Sequence, residues 1–388
     1  AGKTTLTEKF LLYGGAINTA GSVKGKANSK YAVSDWMGIE KERGISVTSS
    51  VLQFKYDDFC INILDTPGHQ DFSEDTYRTL MAADSAVMVI DASKGVEAQT
   101  IKLFKVCVMR HIPIFTFINK MDREARDSFE LLDDIESVLG IRTCPVNWPI
   151  GSGKRFKGIY DRRAKTVRTF ESVSTGGAKS AAETDYDIND PALKELATEE
   201  LYDQLIDEIE LLDGASDPLD LEQVQKGELS PVFFGSALTT FGVETFLKYF
   251  LEMTTSPLPR MSNEGEIDPL TNDFSAFVFK IQANMNKAHR DRIAFLRICS
   301  GKFQADKEVY HVQSGRKLRL SQPQQIMAQD RQVISEAYAG DVIGVFDPGL
   351  FSIGDTITMP GSKFEYEGIP TFAPEHFARV IQLNSMKR

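Results

Sequence analysis

Continuous apolar runs, rather than alternating ones, dominate the first two-thirds of the chain. Four of them follow one another at residues 61–64, 86–90, 112–118 and 232–234. Such runs are typical of strands buried on both faces of a parallel sheet. Between them, and at residues 4–13 before them, apolar residues recur at helical spacing. The pattern predicts an α/β fold with a doubly wound, mostly parallel sheet.

The interval between the third and fourth runs is far longer than one helix and one strand require. Residues 161–190 are polar and rich in Ser, Thr, Gly and charge, and residues 191–212 repeat Leu and Ile at helical spacing among acidic residues. We therefore expect an inserted subdomain with an acidic helix at about residues 150–230.

A different pattern begins after the Pro-rich segment 254–260, which is typical of a domain linker. Short stretches with a period of two follow at residues 275–282, 292–300, 308–312, 317–320, 341–346 and 355–359. Short strands separated by Gly and Asp turns favour a small antiparallel β-barrel. The sequence thus predicts a first domain over 1–258 and a barrel domain over 268–375.

The first predicted helix opens with a candidate phosphate-binding segment, Ala1-Gly2-Lys3-Thr4-Thr5. It fits the second half of the loop G-x-x-x-x-G-K-[ST], whose backbone N–H groups hold phosphates at a helix N-terminus. Lys3 would reach the β- and γ-phosphates, and the Thr4 hydroxyl would ligate Mg²⁺. Because the first half of that motif does not precede Ala1, we expect the sequence to be part of a longer polypeptide.

A second candidate phosphate segment follows the run at 61–64 as Asp65-Thr66-Pro67-Gly68. Asp65 ends a predicted strand and fits a Mg²⁺ partner that acts through a water. An ordinary turn is the alternative interpretation, because Pro and Gly are common turn residues. Upstream, the hydroxyl of Ser46 ends a polar stretch and could close over Mg²⁺ and the γ-phosphate.

A third segment carries candidate base recognition. Asn119, Lys120 and Asp122 directly follow the run at 112–118. The two carboxylate oxygens of Asp122 can accept from the N1–H and exocyclic amine of guanine, a donor pair that adenine lacks. Asn119 can hold neighbouring loops, and the stem of Lys120 can lie along the ring. Backbone N–H groups of a further loop, Ser236-Ala237-Leu238, could bind the guanine carbonyl. The order of the three segments predicts a GTP site with Mg²⁺.

The composition argues against some functions but does not identify one. The chain has 388 residues, a net charge of −11 and four Cys without a C-x-x-C pair. The acidic balance argues against generic nucleic-acid binding, although one domain could still carry a basic face. The scattered Cys indicate reduced, buried thiols in a cytosolic protein. No apolar run reaches the length of a membrane span.

Several motifs carry a resemblance that covers essentially the whole chain. The general ones are Arg43-Gly44-Ile45-Ser46, Asp65-Thr66-Pro67-Gly68-His69 and Asn119-Lys120-Met121-Asp122, and more particular ones are Ser34-Asp35-Trp36-Met37 and the segments 71–80, 278–285, 289–295 and 372–375. With these motifs the sequence resembles the translational GTPases, and among them the bacterial release factor 3 family.

The resemblance implies a mechanism and partners. His69 would orient the water that attacks the γ-phosphate of GTP, with GDP as product. The GTP-bound factor would engage the ribosome, through its RNA and proteins, and drive off a class-I release factor after termination. The family resemblance further implies a cytoplasmic protein, without a membrane partner, that acts as a monomer. A third domain would begin at residues 376–388.

Other functions stay open at this point. A translocation-type or ribosomal protection GTPase is the nearest alternative, and further C-terminal domains would distinguish it. A nucleotide-sensing module without significant turnover is the alternative from another class.

Basic residues gather around the first predicted barrel hairpin, against the acidic background. They could contact ribosomal RNA phosphates or form an ordinary solvated face. The residues are Lys280, Lys287, Arg290, Arg292, Arg297 and Lys302.

Overall fold

The structure is a computed structural model that describes residues 1–17, 49–68, 73–170, 183–283, 292–327, 330–369 and 378–379. In chain order the first elements are α1 (Lys3–Tyr13), β1 (Ser50–Tyr56), β2 (Phe59–Asp65), α2 (Ser73–Leu80), β3 (Ala86–Asp91), α3 (Ala98–Met109), β4 (Ile114–Asn119), α4 (Ser128–Leu139) and β5 (Arg142–Pro145). Next come β6 (Asn147–Ile150), β7 (Gly158–Asp161), β8 (Thr166–Phe170), β9 (Glu183–Asp187), α5 (Pro191–Ala197), α6 (Glu199–Ala215), α7 (Leu221–Gln225), β10 (Leu229–Phe234) and α8 (Val243–Met253).

A parallel sheet in the order β3-β4-β10-β5 forms the centre of the first domain. Its strands are apolar because helices cover both faces. On one face, the rings of Phe117 and Phe233 pack against Phe246 of α8, with centroids 5.2 and 4.9 Å apart. Burying each such ring stabilises the fold by about 1.5–3 kcal/mol. The predicted α/β class is confirmed.

The hairpin of β1 and β2 departs from the prediction for residues 61–64. These residues belong to β2, which pairs antiparallel with β1 and not with the parallel sheet. The two-residue turn between the strands, where Asp57 has φ 48°, sets this pairing. Within the described ranges the other edge of β2 has no strand partner, and Ile61 and Ile63 are therefore only partly buried.

The inserted subdomain lies between β5 and β10. It contains the antiparallel sheet β6-β7-β8-β9 and helices α5, α6 and α7. The single helix predicted over 191–212 is in fact two, because Thr198 has φ 73° and cannot continue a right-handed helix. Leu201, Leu205 and Leu212 of α6 are buried, while most of its acidic residues are exposed.

The second domain is built from antiparallel strands. They are β11 (Arg260–Ser262), β12 (Gly265–Ile267), β13 (Ser275–Ala283), β14 (Arg292–Ser300), β15 (Lys302–Gln304), β16 (Val309–His311), β17 (Arg316–Leu318), β18 (Ser321–Met327), β19 (Asp330–Val333), β20 (Glu336–Tyr338), β21 (Val342–Phe346) and β22 (Thr356–Thr358). Eight of them pair in the order β17-β16-β22-β13-β14-β21-β18-β19. This confirms the predicted antiparallel barrel domain. Strand β18 was not predicted, because its sequence is Gln-rich and interrupted by Pro323.

Buried arginines join the barrel domain to the end of α2. The guanidinium of Arg297 bonds the Asp84 carboxylate, and its Nε donates to the Ala82 carbonyl at 3.1 Å. Arg260 Nη1 donates to the Met81 carbonyl at 2.9 Å. These bonds fix the barrel against the first domain, since unpaired buried guanidinium groups would be costly.

The structure contradicts an exposed RNA-binding role for two members of the basic group on the barrel hairpin. Lys280 and Arg297 are buried at 6% and 4% exposure on the face covered by the first domain. Arg292 pairs with Asp347, and Lys302 pairs with Glu336. The sequence showed which residues are basic but not which strand face the first domain covers. Lys287 and Arg290 lie outside the described residues, as do residues 18–48, 370–377 and 380–388.

Two smaller findings concern the thiols and membranes. Cys107, Cys144 and Cys299 are buried free thiols as predicted, but Cys60 is exposed. No helix in the described part of the chain is long and apolar enough to span a membrane.

Candidate nucleotide site

The carboxyl edge of the parallel sheet brings two candidate regions together. Strands β3 and β4 are paired so that Asp91 lies beside Asn119, the last residue of each strand. The carboxyl ends of such strands form the usual ligand crevice of open α/β sheets. Helix α1 begins at the same edge, since the Ala1 carbonyl contacts the Asn119 side chain.

The candidate phosphate-binding segment starts at a left-handed glycine. Gly2 has φ 98° and precedes α1, and the Leu6 amide donates to its carbonyl at 3.0 Å. A Cβ on Gly2 would lie 2.6 Å from Asn119 Nδ2, so the close approach of the two loops requires glycine. Thr5 lies in the first turn of α1. The segment therefore has the helix N-terminus that anion binding needs.

The Lys3 side chain reaches from the first candidate phosphate segment to the second. A Cβ on Gly68 would be 2.9 Å from Lys3 Nζ, which places the ammonium directly against that glycine. Burial lowers the Lys3 pKa, while the nearby carboxylates of Asp65 and Glu97 act in the opposite direction. A triphosphate would supply the negative charge that favours the ammonium form.

Thr4 and Asp65 offer the oxygen ligands that Mg²⁺ prefers. Both are buried at 6% exposure, and Asp65 is the last residue of β2. The turn after it is fixed to α2, because the Thr76 hydroxyl donates to the Pro67 carbonyl at 3.3 Å. A buried hydroxyl and a buried carboxylate beside Lys3 fit a magnesium-bound triphosphate.

Asn119 connects three loops at once. Its Nδ2 donates to the Ala1 carbonyl at 2.8 Å, and its Oδ1 accepts from the amides of Lys120 and Ala237, each at 2.8 Å. The side chain is 2% exposed. One buried amide thus joins the candidate phosphate loop to both candidate base loops.

Lys120 has φ 74°, and its ammonium pairs with Asp91. Burial alone would raise the pKa of Asp91, but hydrogen bonds from Lys120 and Ser93 outweigh it and hold that pKa below its usual value. The pair fixes the direction of the Lys120 stem. Sequence reasoning missed Asp91, although its position directly after the apolar run 86–90 was a usable signal.

Asp122 is held by the second base loop. Ser236 Oγ donates to Asp122 Oδ1 at 2.6 Å, and the Thr239 amide donates to Ser236 Oγ at 3.3 Å. Ala237 is buried and Leu238 is 47% exposed. The structure therefore brings together the two base loops that the sequence predicted. Ser46 and His69 lie outside the described residues.

Comparisons with known proteins give the family to which this chain belongs. A family model described as the elongation factor Tu GTP binding domain matches residues 1–256, and one described as elongation factor G domain 2 matches residues 273–359. A crystal structure of a Thermus thermophilus protein has a TM-score of 0.71 at 23% identity, over 93% of this chain and 53% of that chain. That likeness concerns the fold alone. The chain belongs to the translational GTPases.

Sequence relatives narrow the assignment. The peptide chain release factor 3 of Symbiobacterium thermophilum is 62% identical over 387 residues, which are 100% of this chain and 73% of that protein. That of Gloeobacter violaceus is 58% identical and is covered to 72% of its length. The chain belongs to the peptide chain release factor 3 family, and it is a release-factor-recycling GTPase that the ribosome stimulates. The predicted family and activity are confirmed.

Proposed function

We propose that the site described above selects guanine, holds Mg²⁺ and positions GTP for hydrolysis. The observation that carries this proposal is the buried Asn119 amide, which joins the Ala1, Lys120 and Ala237 backbones. Two base loops and a phosphate loop that share one side chain can bind the two ends of a single nucleotide.

The base end reads guanine through Asp122. Ser236 leaves the carboxylate able to accept from a base edge, because it occupies only one side of Oδ1. The Ala237 and Leu238 amides face the guanine carbonyl in this proposal, and the Lys120 stem covers the ring. Adenine would leave the Asp122 carboxylate poorly paired, which costs affinity.

The phosphate end uses Ala1, Gly2, Lys3, Thr4 and Thr5 together with the segment 65–68. Lys3 binds the β- and γ-phosphates, and the backbone after Gly2 supplies amide donors. Thr4, Ser46 and Asp65 would hold Mg²⁺, which supplies neutralisation of phosphate charge when bound. Thr66, Pro67 and Gly68 shape the turn beside the γ-phosphate.

Hydrolysis itself asks the protein mainly for positioning and charge stabilisation. Water attacks the γ-phosphorus, the bond to the bridging oxygen breaks, and GDP and phosphate leave. Lys3 stabilises the charge on the phosphate oxygens. His69 orients the attacking water and is the catalytic residue that we propose.

Partners and setting follow from the family. We infer contacts with ribosomal RNA and ribosomal proteins, and with the class-I release factor that the GTP-bound state displaces. The proposed working form is a cytoplasmic monomer.

Phosphate release from GTP, measured with and without ribosomes, tests this function. We expect ribosomes to raise turnover by about a thousandfold or more. ATP in place of GTP is the control and should give no ribosome-dependent release. Equal rates with and without ribosomes would contradict the proposal and leave a nucleotide sensor as the better account.

A further inference from the structure

Ser49, the residue before β1, is held by polar contacts from two domains. Its amide donates to Asp75 Oδ2 at 2.6 Å, and its hydroxyl accepts from Thr79 Oγ1 at 3.0 Å. Both partners belong to α2. Its carbonyl accepts from the ammonium of Lys280, which comes from strand β13 of the barrel domain.

A β-bulge aims Lys280 at the first domain. Ala276 and Val278 face the barrel core, and strict alternation would send Lys280 to the same core. The pairing of β13 with β14 shifts register between Val278 and Lys280, and Ile281 then packs on the barrel core instead. A bulge of this kind re-aims the side chains that follow it.

The Lys280 ammonium is consequently buried at the domain joint. Its side chain is 7% exposed, and Nζ lies 3.8 Å from Asp75 Oδ2. A buried ammonium needs such partners, because losing the carboxylate would leave its charge uncompensated. The same amine therefore touches α2 and the residue before β1.

Both of these elements lead directly to the proposed magnesium and γ-phosphate residues. Ser50 is the cross-strand partner of Asp65, and Thr76, next to Asp75, bonds the Pro67 carbonyl. The contact between Ser49 and Asp75 therefore holds the start of β1 against helix α2. Through Ser50 and Thr76, these two elements position Asp65 and the turn that contains Gly68.

We propose that Lys280 is a positioning residue for GTP hydrolysis, through which the barrel domain holds the Asp65 and Gly68 segments in register. This inference rests on the proposed function of those segments. Lys280 does not touch the substrate. Its ammonium acts through Ser49 and Asp75, so a change in barrel position on the ribosome reaches the phosphate end of the site along this path.

Lys280→Met in the full chain tests the inference, because it keeps the length of the stem and removes the ammonium. We expect ribosome-stimulated kcat to fall by about tenfold to a hundredfold, since small misplacements of reacting groups cost this much. The dissociation constant for GDP should stay within about twofold, because the base loops do not contact Lys280. Lys280→Arg should recover part of the lost kcat.

Arg297→Met is the matched control, since it removes another buried barrel cation that bonds the first domain, at the far end of α2. It should lower thermal stability by a similar amount while kcat stays within about threefold of the original. Equal kcat losses for both variants would overturn the inference, because interface weakening would then explain them.

Thr79→Val provides a second variant that leaves the buried charges in place. It removes one contact to Ser49 and should reduce kcat in the same direction, without a change in GDP affinity. Unchanged kcat in both Thr79→Val and Lys280→Met would overturn the inference. Absence of GTP turnover in the unaltered protein would instead reject the proposed function, which separates the two failures.

Discussion

The two ends of the nucleotide site are built in different ways. At the base end, Asn119 at the end of a buried strand and Asp122 in the turn after it are fixed by bonds within the first domain. At the phosphate end, Asp65 lies on the two-stranded hairpin and Ser49 directly precedes it, and the barrel domain bonds Ser49 through Lys280. We therefore expect base selection to depend on the first domain alone, and hydrolysis to depend on how the two domains meet.

This difference fits the two functions proposed for the site, base binding and hydrolysis. A factor that keeps a guanine nucleotide bound while its domains move needs a base-binding region that the movement leaves unchanged. A factor whose turnover the ribosome stimulates needs a phosphate end that domain movement does reach. In this proposal the first domain alone binds the base, and the contact between the two domains controls hydrolysis at the phosphate end.

Replacement of His69, the proposed catalytic residue, should give the largest difference between the effect on turnover and the effect on nucleotide affinity. We expect His69→Ala to reduce ribosome-stimulated turnover by about a thousandfold, as loss of a positioned proton-handling group does. Affinity for GTP and GDP should stay unchanged, because the base end is intact. Single-turnover hydrolysis and calorimetry give the two values. His111→Asn, in an exposed turn after α3, is the control, and undiminished turnover in His69→Ala would remove that residue from the mechanism.

The second largest effect is expected at Asn119, whose side-chain amide joins the loops of the base end to the phosphate loop. Asn119→Ala removes three buried hydrogen bonds and should weaken binding of GTP and GDP alike by about 3 kcal/mol. Calorimetry with each nucleotide measures the loss. Asn189→Ala, an exposed turn position, should leave both affinities unaltered. A loss confined to GTP would place Asn119 with the phosphate end and break the comparison.

The Asp91–Lys120 pair predicts a smaller effect that depends on pH. Because the folded-state pKa of Asp91 is lowered, its contribution to stability is present above the usual aspartate pKa and is lost as pH falls through the folded value. Asp91→Asn should therefore unfold at lower temperature than the original protein at pH 7. The difference should shrink in strongly acidic buffer. Melting curves from pH 7 downward test this, and a gap that stays constant with pH would contradict the pairing.

The smallest expected effect concerns the hairpin's contact with the barrel. Asn62 Nδ2 donates to Asp341 Oδ1 at 3.2 Å, and its Oδ1 accepts from Gln53 at 3.0 Å. Asn62→Ala should lower the free energy of unfolding by about 1 kcal/mol, because these bonds are partly exposed. Denaturant titration measures it. Nucleotide affinity should not change, and a large loss of GDP binding would show that the base end is less independent than described.

Sequence reasoning identified the family and the fold class, which depend on contiguous motifs and apolar runs, whereas the site assignments stay predictions. The phosphate and base segments are short motifs beside strong apolar runs, and the parallel sheet follows from those runs. It failed where function depends on register. Asp91 gains its role by pairing beside Asn119, and Lys280 faces the first domain only because of a bulge in β13. Neither a strand register nor a bulge is visible in residue types, so the sequence did not show that Lys280 and Arg297 are buried where the two domains meet.

Base exchange at Asp122 tests the central claim most directly. Xanthine carries a carbonyl where guanine carries its exocyclic amine, so Asp122→Asn should reverse the preference between GTP and xanthosine triphosphate. Competition calorimetry on the two proteins measures that ratio. We expect the original protein to favour GTP by about a hundredfold or more, and the variant to favour the xanthine nucleotide. A variant that still binds GTP more tightly would contradict the assignment of this loop to the base.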